Sequence, residues 1–282
     1  MSERVLLAGC GDLGLRVARR LVARGDTVFA LRRHPPPAAA DGITWLAGDM
    51  TRADRLPPLP PGISQLVHLP TPGARDEVAY RAVFVDGLRH LIAALDAASL
   101  TRVLFVSSTA VYGDSAGEWV DEETPTDPPG FNGAVLREAE RWLGAQPVTG
   151  ITLRLAGLYG PGRLQLIERL RAGMARAPRT QAHWANRIHV DDAAAAIVHL
   201  LALSDPQAVY VGVDDTPLPI DVLYDHLAAL AGAPPPADGP GPTGIGSKRL
   251  RNARLRASGW APQWPDAREG YAVLLRRAAH GV

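Results

Sequence analysis

The segment RVLLAGCGDLGLRVARRLVARG, residues 4–25, constrains the fold more than any other part of the chain. A short apolar run of strand character leads into Gly9, Gly11 and Gly14, spaced G-x-G-x-x-G, and then into helical spacing. Leu15, Val17, Ala18, Leu21 and Val22 share one face of that helix, and Gly25 ends it. Each glycine has a mechanical reason in a strand–turn–helix corner. Gly9 permits the tight turn, Gly11 lets backbone approach a pyrophosphate, and Gly14 lets the helix pack close to the strand. The helix start, with Asp12 and Leu13, offers unpaired N–H groups and the positive end of a dipole. A corner of this kind opens a dinucleotide-binding βαβ unit.

The alternation continues. Apolar runs at 27–32, 43–49, 65–70 and 102–108 read as strands, that at 43–49 after a Pro/Ala-rich loop and that at 65–70 after a Pro-rich stretch. Residues 74–98 and 129–143 read as helices. A strand at 150–155 runs into a Gly/Pro loop to 163, a helix covers 189–203, and 207–215 is a last strand. Short strands alternating with helices imply an α/β fold, a Rossmann-type doubly wound parallel sheet. The less regular second half implies a smaller C-terminal substrate lobe. Residues 1–160 form the nucleotide-binding domain, to which 187–215 return, and 161–186 with 216–282 form the lobe. The stretch PPPADGPGPTGIG, 234–246, reads as a mobile loop.

Composition removes several classes of function. Thirty basic against 29 acidic residues leave a net charge of +1, which points away from nucleic acid. No apolar run reaches the length of a membrane span, and the N-terminus enters a strand at once, so a cytoplasmic protein is expected. Cys10 is the single cysteine, so an intrachain disulfide or a cysteine metal cluster is excluded, and no metal site is expected. The end of the second strand selects the cofactor. An acidic residue there would read a ribose hydroxyl, whereas arginine suits a 2′-phosphate. ALRRHP supplies Arg32 and Arg33 and no carboxylate, which favours NADP(H) over NAD. The stretch VLFVSSTAVYG, 103–113, ends a buried strand in hydroxyls at Ser107, Ser108 and Thr109, followed by Tyr112.

AGCGDLG, LAGDM, LVHLPTPG, VLFVSSTAVYG, LRLAGLYGPGR and NRIHVDDAAAAI occur in an order that resembles the extended short-chain dehydrogenase/reductases, the NAD-dependent epimerase/dehydratase group, and most of all its atypical members. The resemblance spans nearly the whole chain. It implies Asp49 beside an adenine, and His68 and Leu69 near the cofactor's ribose, after the fourth strand. Asp86 falls where the family often has Asn, and Ser108 at the catalytic Ser/Thr position. Arg154 and Tyr159 lie on the strand and loop after the active-site helix, and Arg187, His189 and Asp191 in the segment approaching the substrate lobe. The family often pairs through two long helices, so a homodimer is expected.

One departure carries more weight than these matches. The family's signature is Tyr-x-x-x-Lys, one helical turn apart, with Lys lowering the pKa of a Tyr that acts as acid or base. Anchored on Glu140, that pattern puts Asn132 at the Tyr position and Leu136 at the Lys position. The one lysine, Lys248, lies far along the chain. Tyr112 and His189 are the candidate proton carriers that remain, with Ser108 to orient a substrate oxygen. Tyr159 and a ring-stacking Trp184 are weaker candidates. The expectation is an NAD(P)-dependent oxidoreductase or epimerase/dehydratase acting on a small polar, carbonyl or sugar-like molecule. The alternative is a non-catalytic NAD(P)-binding sensor or scaffold.

Overall fold

The computed structural model describes residues 2–36, 42–242 and 244–279. Most of the Pro/Ala-rich loop, and Thr243 of the 234–246 loop, lie outside the described residues. Seven strands form one parallel sheet: β1 Arg4–Ala8, β2 Thr27–Arg32, β3 Ile43–Ala47, β4 Gln65–His68, β5 Arg102–Ser108, β6 Thr149–Leu155 and β7 Val209–Gly212. Their order is β7-β6-β5-β4-β1-β2-β3. Strand order reverses between β1 and β4, which pair in parallel with Leu7 opposite Val67. A parallel sheet covered on both faces needs strands apolar throughout, because neither side meets water. Val5, Leu6, Leu7 and Ala8 are accordingly all buried, as are Val103, Leu104 and Phe105.

The helices are α1 Asp12–Ala23, α2 Glu77–Arg81, α3 Gly87–Ala94, α4 Phe131–Gly144, α5 Gln165–Arg171, α6 Val190–Ala202, α7 Ile220–Ala231, α8 Ala253–Ala257 and α9 Ala267–Ala279. The single helix expected over 74–98 is shorter and not uniform. Asp76 caps its start by accepting the Ala79 amide at 2.8 Å, a π-turn occupies Ala82–Asp86, and α3 ends at Ala94. Widened turns of this type are rare inside α-helices and gather at functional sites.

Two compact units divide the chain. The first comprises residues 1–111, 130–154 and 194–210, and the second 112–129, 155–193 and 211–282. In the second unit Tyr159, Ile167, Leu170, Leu223, Leu227 and Tyr271 build a separate core, with the Tyr159 and Tyr271 rings stacked 4.5 Å apart. Asp192, buried at the start of α6, accepts the amides of Gln263 at 2.8 Å and Trp264 at 3.0 Å. The 234–246 segment is also anchored: Ala237–Asp238 pairs in parallel with Arg176–Ala177. No helix among the described residues is long and apolar enough to cross a membrane.

Leu6 sits in the middle of β1 with no exposed surface. Leu6→Ala removes three buried carbon groups that the sheet cannot close over. The expected loss in the free energy of unfolding, read from urea titration, is about 2–5 kcal/mol.

Candidate cofactor cleft and active-site residues

A cleft of about 470 Å³ opens in the first unit past the carboxyl ends of β1, β2, β3 and β4, where a doubly wound sheet places its ligands. Gly9 follows β1 with φ +92°, a conformation that side chains rarely adopt. Space also demands glycine, since a Cβ there would stand 2.4 Å from the Pro70 Cα. A Cβ on Gly14 would meet the Cys10 Sγ at 3.3 Å and Leu69 Cδ1 at 3.4 Å, so Leu69 serves as packing under the loop. Gly11, the residue before α1, has nothing within 4 Å of where a Cβ would be, and no side chain caps the helix. Open backbone, uncapped N–H groups and a dipole end fit a pyrophosphate. Leu13 is buried in the helix, and Asp12 pairs with Arg16 at 3.0 Å on its outer face.

Arg32, Arg33 and Asp49 all line this cleft. Burial works against ionisation of Asp49. Hydrogen bonds from the Thr51 hydroxyl at 2.7 Å and amide at 3.0 Å, with the charges of Arg33 and Arg52, outweigh it and hold its pKa below the ordinary value. Burial pushes the Cys10 thiol up to about 11, against the pull of Arg32, so the group is a thiol at neutral pH. His68, the last residue of β4, is wholly buried, its ring stacked on Phe105 at 5.7 Å. Its Nε2 donates to the Val83 carbonyl of the π-turn at 2.9 Å, and Val83 itself lines the cleft. Burial drives the His68 pKa down to about 4 despite that bond, so the imidazole is neutral. Neither the π-turn nor the approach of Pro70 has a signal in the sequence.

At the end of β5 the Ser107 hydroxyl donates to Glu140 Oε1 at 2.5 Å, and the Arg154 guanidinium meets the same carboxylate at 2.7 Å. All three side chains are buried. Ser108, half-buried, accepts the Ala110 amide at 3.2 Å. On α4, Leu136 is buried, and Asn132 lies in the first turn.

Tyr112 and His189 belong to the second unit. The Tyr112 phenol is buried and donates to the Asp121 carbonyl at 2.7 Å. His189 accepts the Asp191 amide on Nδ1 at 3.2 Å, which places its own proton on Nε2. Its ring lies between Tyr159 at 5.1 Å and Trp264 at 5.4 Å. Trp184 lies under the Arg249 guanidinium at 5.0 Å. Lys248, far from Tyr112 in sequence, is buried in the same unit and donates to the carbonyls of Gly113 and Gly246 at 3.2 Å each. Burial lowers its pKa, with Asp114 acting the other way. Tyr159 Oη, Arg187 Nε and Asp214 Oδ2 are buried without hydrogen-bond partners among the described residues. Burial pushes the Asp214 pKa up to about 8, a perturbation the sequence does not signal.

Two measurements test these groups. Arg154→Met leaves Glu140 buried and uncompensated, at an expected cost of about 3–5 kcal/mol in urea unfolding, and Glu140→Leu added to it recovers most of that loss. A carboxyl whose folded pKa lies above its unfolded value gives stability that is present below about pH 4 and lost as pH rises to about 8. Asp214→Asn removes that dependence, so its stability relative to wild type rises between pH 5 and pH 8.

Comparison with known proteins agrees with this architecture. A model of the NAD dependent epimerase/dehydratase family matches residues 5–212. Protein YeeZ of Escherichia coli (strain K12) is 33% identical over 245 residues, covering 83% of this chain and 86% of its own. A 3-diazoavenalumate denitrifying reductase of Streptomyces sp is 29% identical over 95% of this chain and 98% of its own. The structure of a putative NAD-dependent epimerase/dehydratase from Methylobacillus flagellatus superposes with a TM-score of 0.80 at 37% identity, over 99% of this chain and all of that one. MoeE5 in complex with UDP-glucose and NAD shares the fold at 24% identity, with a TM-score of 0.81 over 99% of each chain. The seven-stranded sheet, the glycine corner and a match over most of the length agree: this chain belongs to the NAD-dependent epimerase/dehydratase family.

Proposed function

We propose that the chain is an oxidoreductase or epimerase/dehydratase that prefers NADP(H) and acts on a small polar substrate, carbonyl-bearing or sugar-like. The observation that carries the cofactor preference is the end of β2, where Arg32 and Arg33 line the cleft and the stretch ALRRHP carries no carboxylate. Gly9, Gly11 and the start of α1 would hold the pyrophosphate, the two arginines a 2′-phosphate, and Asp49 the adenine side. When bound, the nicotinamide supplies hydride chemistry.

The chain's own residues would do the rest. Ser107 is committed to Glu140, which leaves Ser108 as the hydroxyl at the end of β5 able to hydrogen-bond a substrate oxygen. In the second unit the Tyr112 phenol donates to the Asp121 carbonyl and His189 accepts the Asp191 amide on Nδ1, and these two would be the proton carriers. A wholly apolar Leu136 at the family's lysine position supports a second reading, a nucleotide-binding protein without turnover.

Arg32→Ala with Arg33→Ala is expected to weaken NADPH binding by roughly tenfold or more, as loss of charge-assisted hydrogen bonds does, and to leave NADH binding nearly unchanged. Tryptophan fluorescence titration reads both, and equal effects on the two nucleotides would refute the preference. Ser108→Ala and His189→Gln are expected to abolish NADPH oxidation with carbonyl substrates at unchanged nucleotide affinity. Failure of the wild type across carbonyl and sugar-nucleotide panels supports the second reading.

A further inference from the structure

Three consecutive residues at and after the end of β4 join separate parts of the first unit's cleft. Pro70 lines it and lies against Gly9, where a Cβ would stand 2.4 Å from the Pro70 Cα. Leu69 packs against the same glycine corner, its Cδ1 3.4 Å from the place a Cβ on Gly14 would take. His68 reaches a different stretch of wall: its Nε2 donates at 2.9 Å to the carbonyl of Val83, and Val83 lines the cleft. That stretch consists of α2 and the π-turn, from which Ala79, Ala82 and Val83, three and four residues apart, all line the cleft.

The other tethers of this wall fix where it lies but not how tightly it is wound. Tyr80 meets Phe84 at 5.4 Å and Phe131 at 5.3 Å, Phe84 stands edge-on to Phe105 at 6.2 Å, and Arg81 forks onto Glu138 at 2.6 and 2.9 Å. The bond from His68 is directional, and it falls inside the π-turn, where the helical spacing widens from four residues to five. A side chain that inserts into the hydrogen-bond ladder is a recognised cause of such a departure from regular winding. His68 is a costly residue to put there. It has no exposed surface, and its Nδ1 is buried without a partner among the described residues. Because a carbonyl can only accept, the imidazole proton sits on Nε2 and Nδ1 is left a bare acceptor. A leucine would fill a comparable volume with no orphaned nitrogen. What the histidine adds is the N–H that Val83 receives, and burial keeps the ring in the neutral form that supplies it.

We propose that His68 is a positioning residue that sets the width of this cleft: it pins the π-turn wall to the strand end against which the glycine corner packs. With no exposed surface it acts only through the groups it holds. Without its N–H the turn is free to tighten to α-helical spacing, which shifts Ala82 and Val83 relative to Gly9 and Gly11. The width so set bears on the dinucleotide as a whole, whereas Arg32 and Arg33 bear on the 2′-phosphate. That the occupant is a nicotinamide dinucleotide rests on the functional reading above; the pin itself does not.

Three variants of the full-length protein test it. His68→Leu removes the donor, His68→Gln keeps an N–H at the reach of Nε2, and His68→Asn carries its N–H one bond short. Fluorescence titration is expected to show NADPH and NADH binding weakened alike, by about fivefold, in His68→Leu and His68→Asn, and within about twofold of wild type in His68→Gln. Hydrogen exchange without nucleotide is expected to quicken at the amides of residues 86–88 in the same two variants and not in His68→Gln. The thermal midpoint of His68→Leu is expected to hold or rise, which a merely structural role would not allow. Wild-type affinity and exchange in His68→Leu, or a His68→Gln variant as impaired as His68→Asn, would overturn the proposal. Should His68→Leu fail to fold, the Gln and Asn variants decide between them. A wild type that binds neither nucleotide would overturn the nucleotide reading instead, and exchange at 86–88 would still judge the pin.

Discussion

The buried contact of Glu140 with Arg154 and Ser107 ties β5 and β6 to α4 near the carboxyl ends of the two strands. One carboxylate takes donors from β5 and β6 while standing on α4. Removing two charges from water is tolerable only when their geometry is close and their remaining valences are filled, and both conditions hold here. The contact also fixes the rotation of α4. Positions four and eight residues before Glu140 fall on the same side of the helix, one and two turns back. Leu136 and Asn132, the positions that the resemblance anchored on Glu140 assigns to Lys and Tyr, therefore share that side of α4.

The glycine corner, the strand alternation and the family were legible because each is local. G-x-G-x-x-G next to an apolar run is read within eleven residues, and seven apolar runs predict seven strands. What was not legible depends on approach between distant segments. Residues 74–98 carry one continuous helical pattern, and the π-turn at Ala82–Asp86 leaves almost no trace in apolar spacing. His68 read as a residue near the cofactor, and the carbonyl fifteen residues on that holds its ring was not part of that reading. Lys248 read as remote from the VYG segment, and its ammonium rests on Gly113. Ser108, Tyr112 and His189 were named from motif position alone. Their partners, which decide how free each proton is, come from outside the motifs.

In the first unit's cleft, two arginines and a helix start face the space, the pattern that suits phosphates. That local charge is not visible in a net charge of +1, which sums over the whole chain.

Each unit consists of three segments, and the segments alternate along the chain, so the backbone passes from one unit to the other five times. During synthesis, β1 to β6 emerge from the ribosome before residue 155. The edge strand β7 follows only after residues 155–193 of the other unit are made. Until then β6 presents an open edge in a nascent sheet, a template for unwanted pairing. A truncated chain ending anywhere before residue 209 would keep that edge open, and no single cut yields either unit whole.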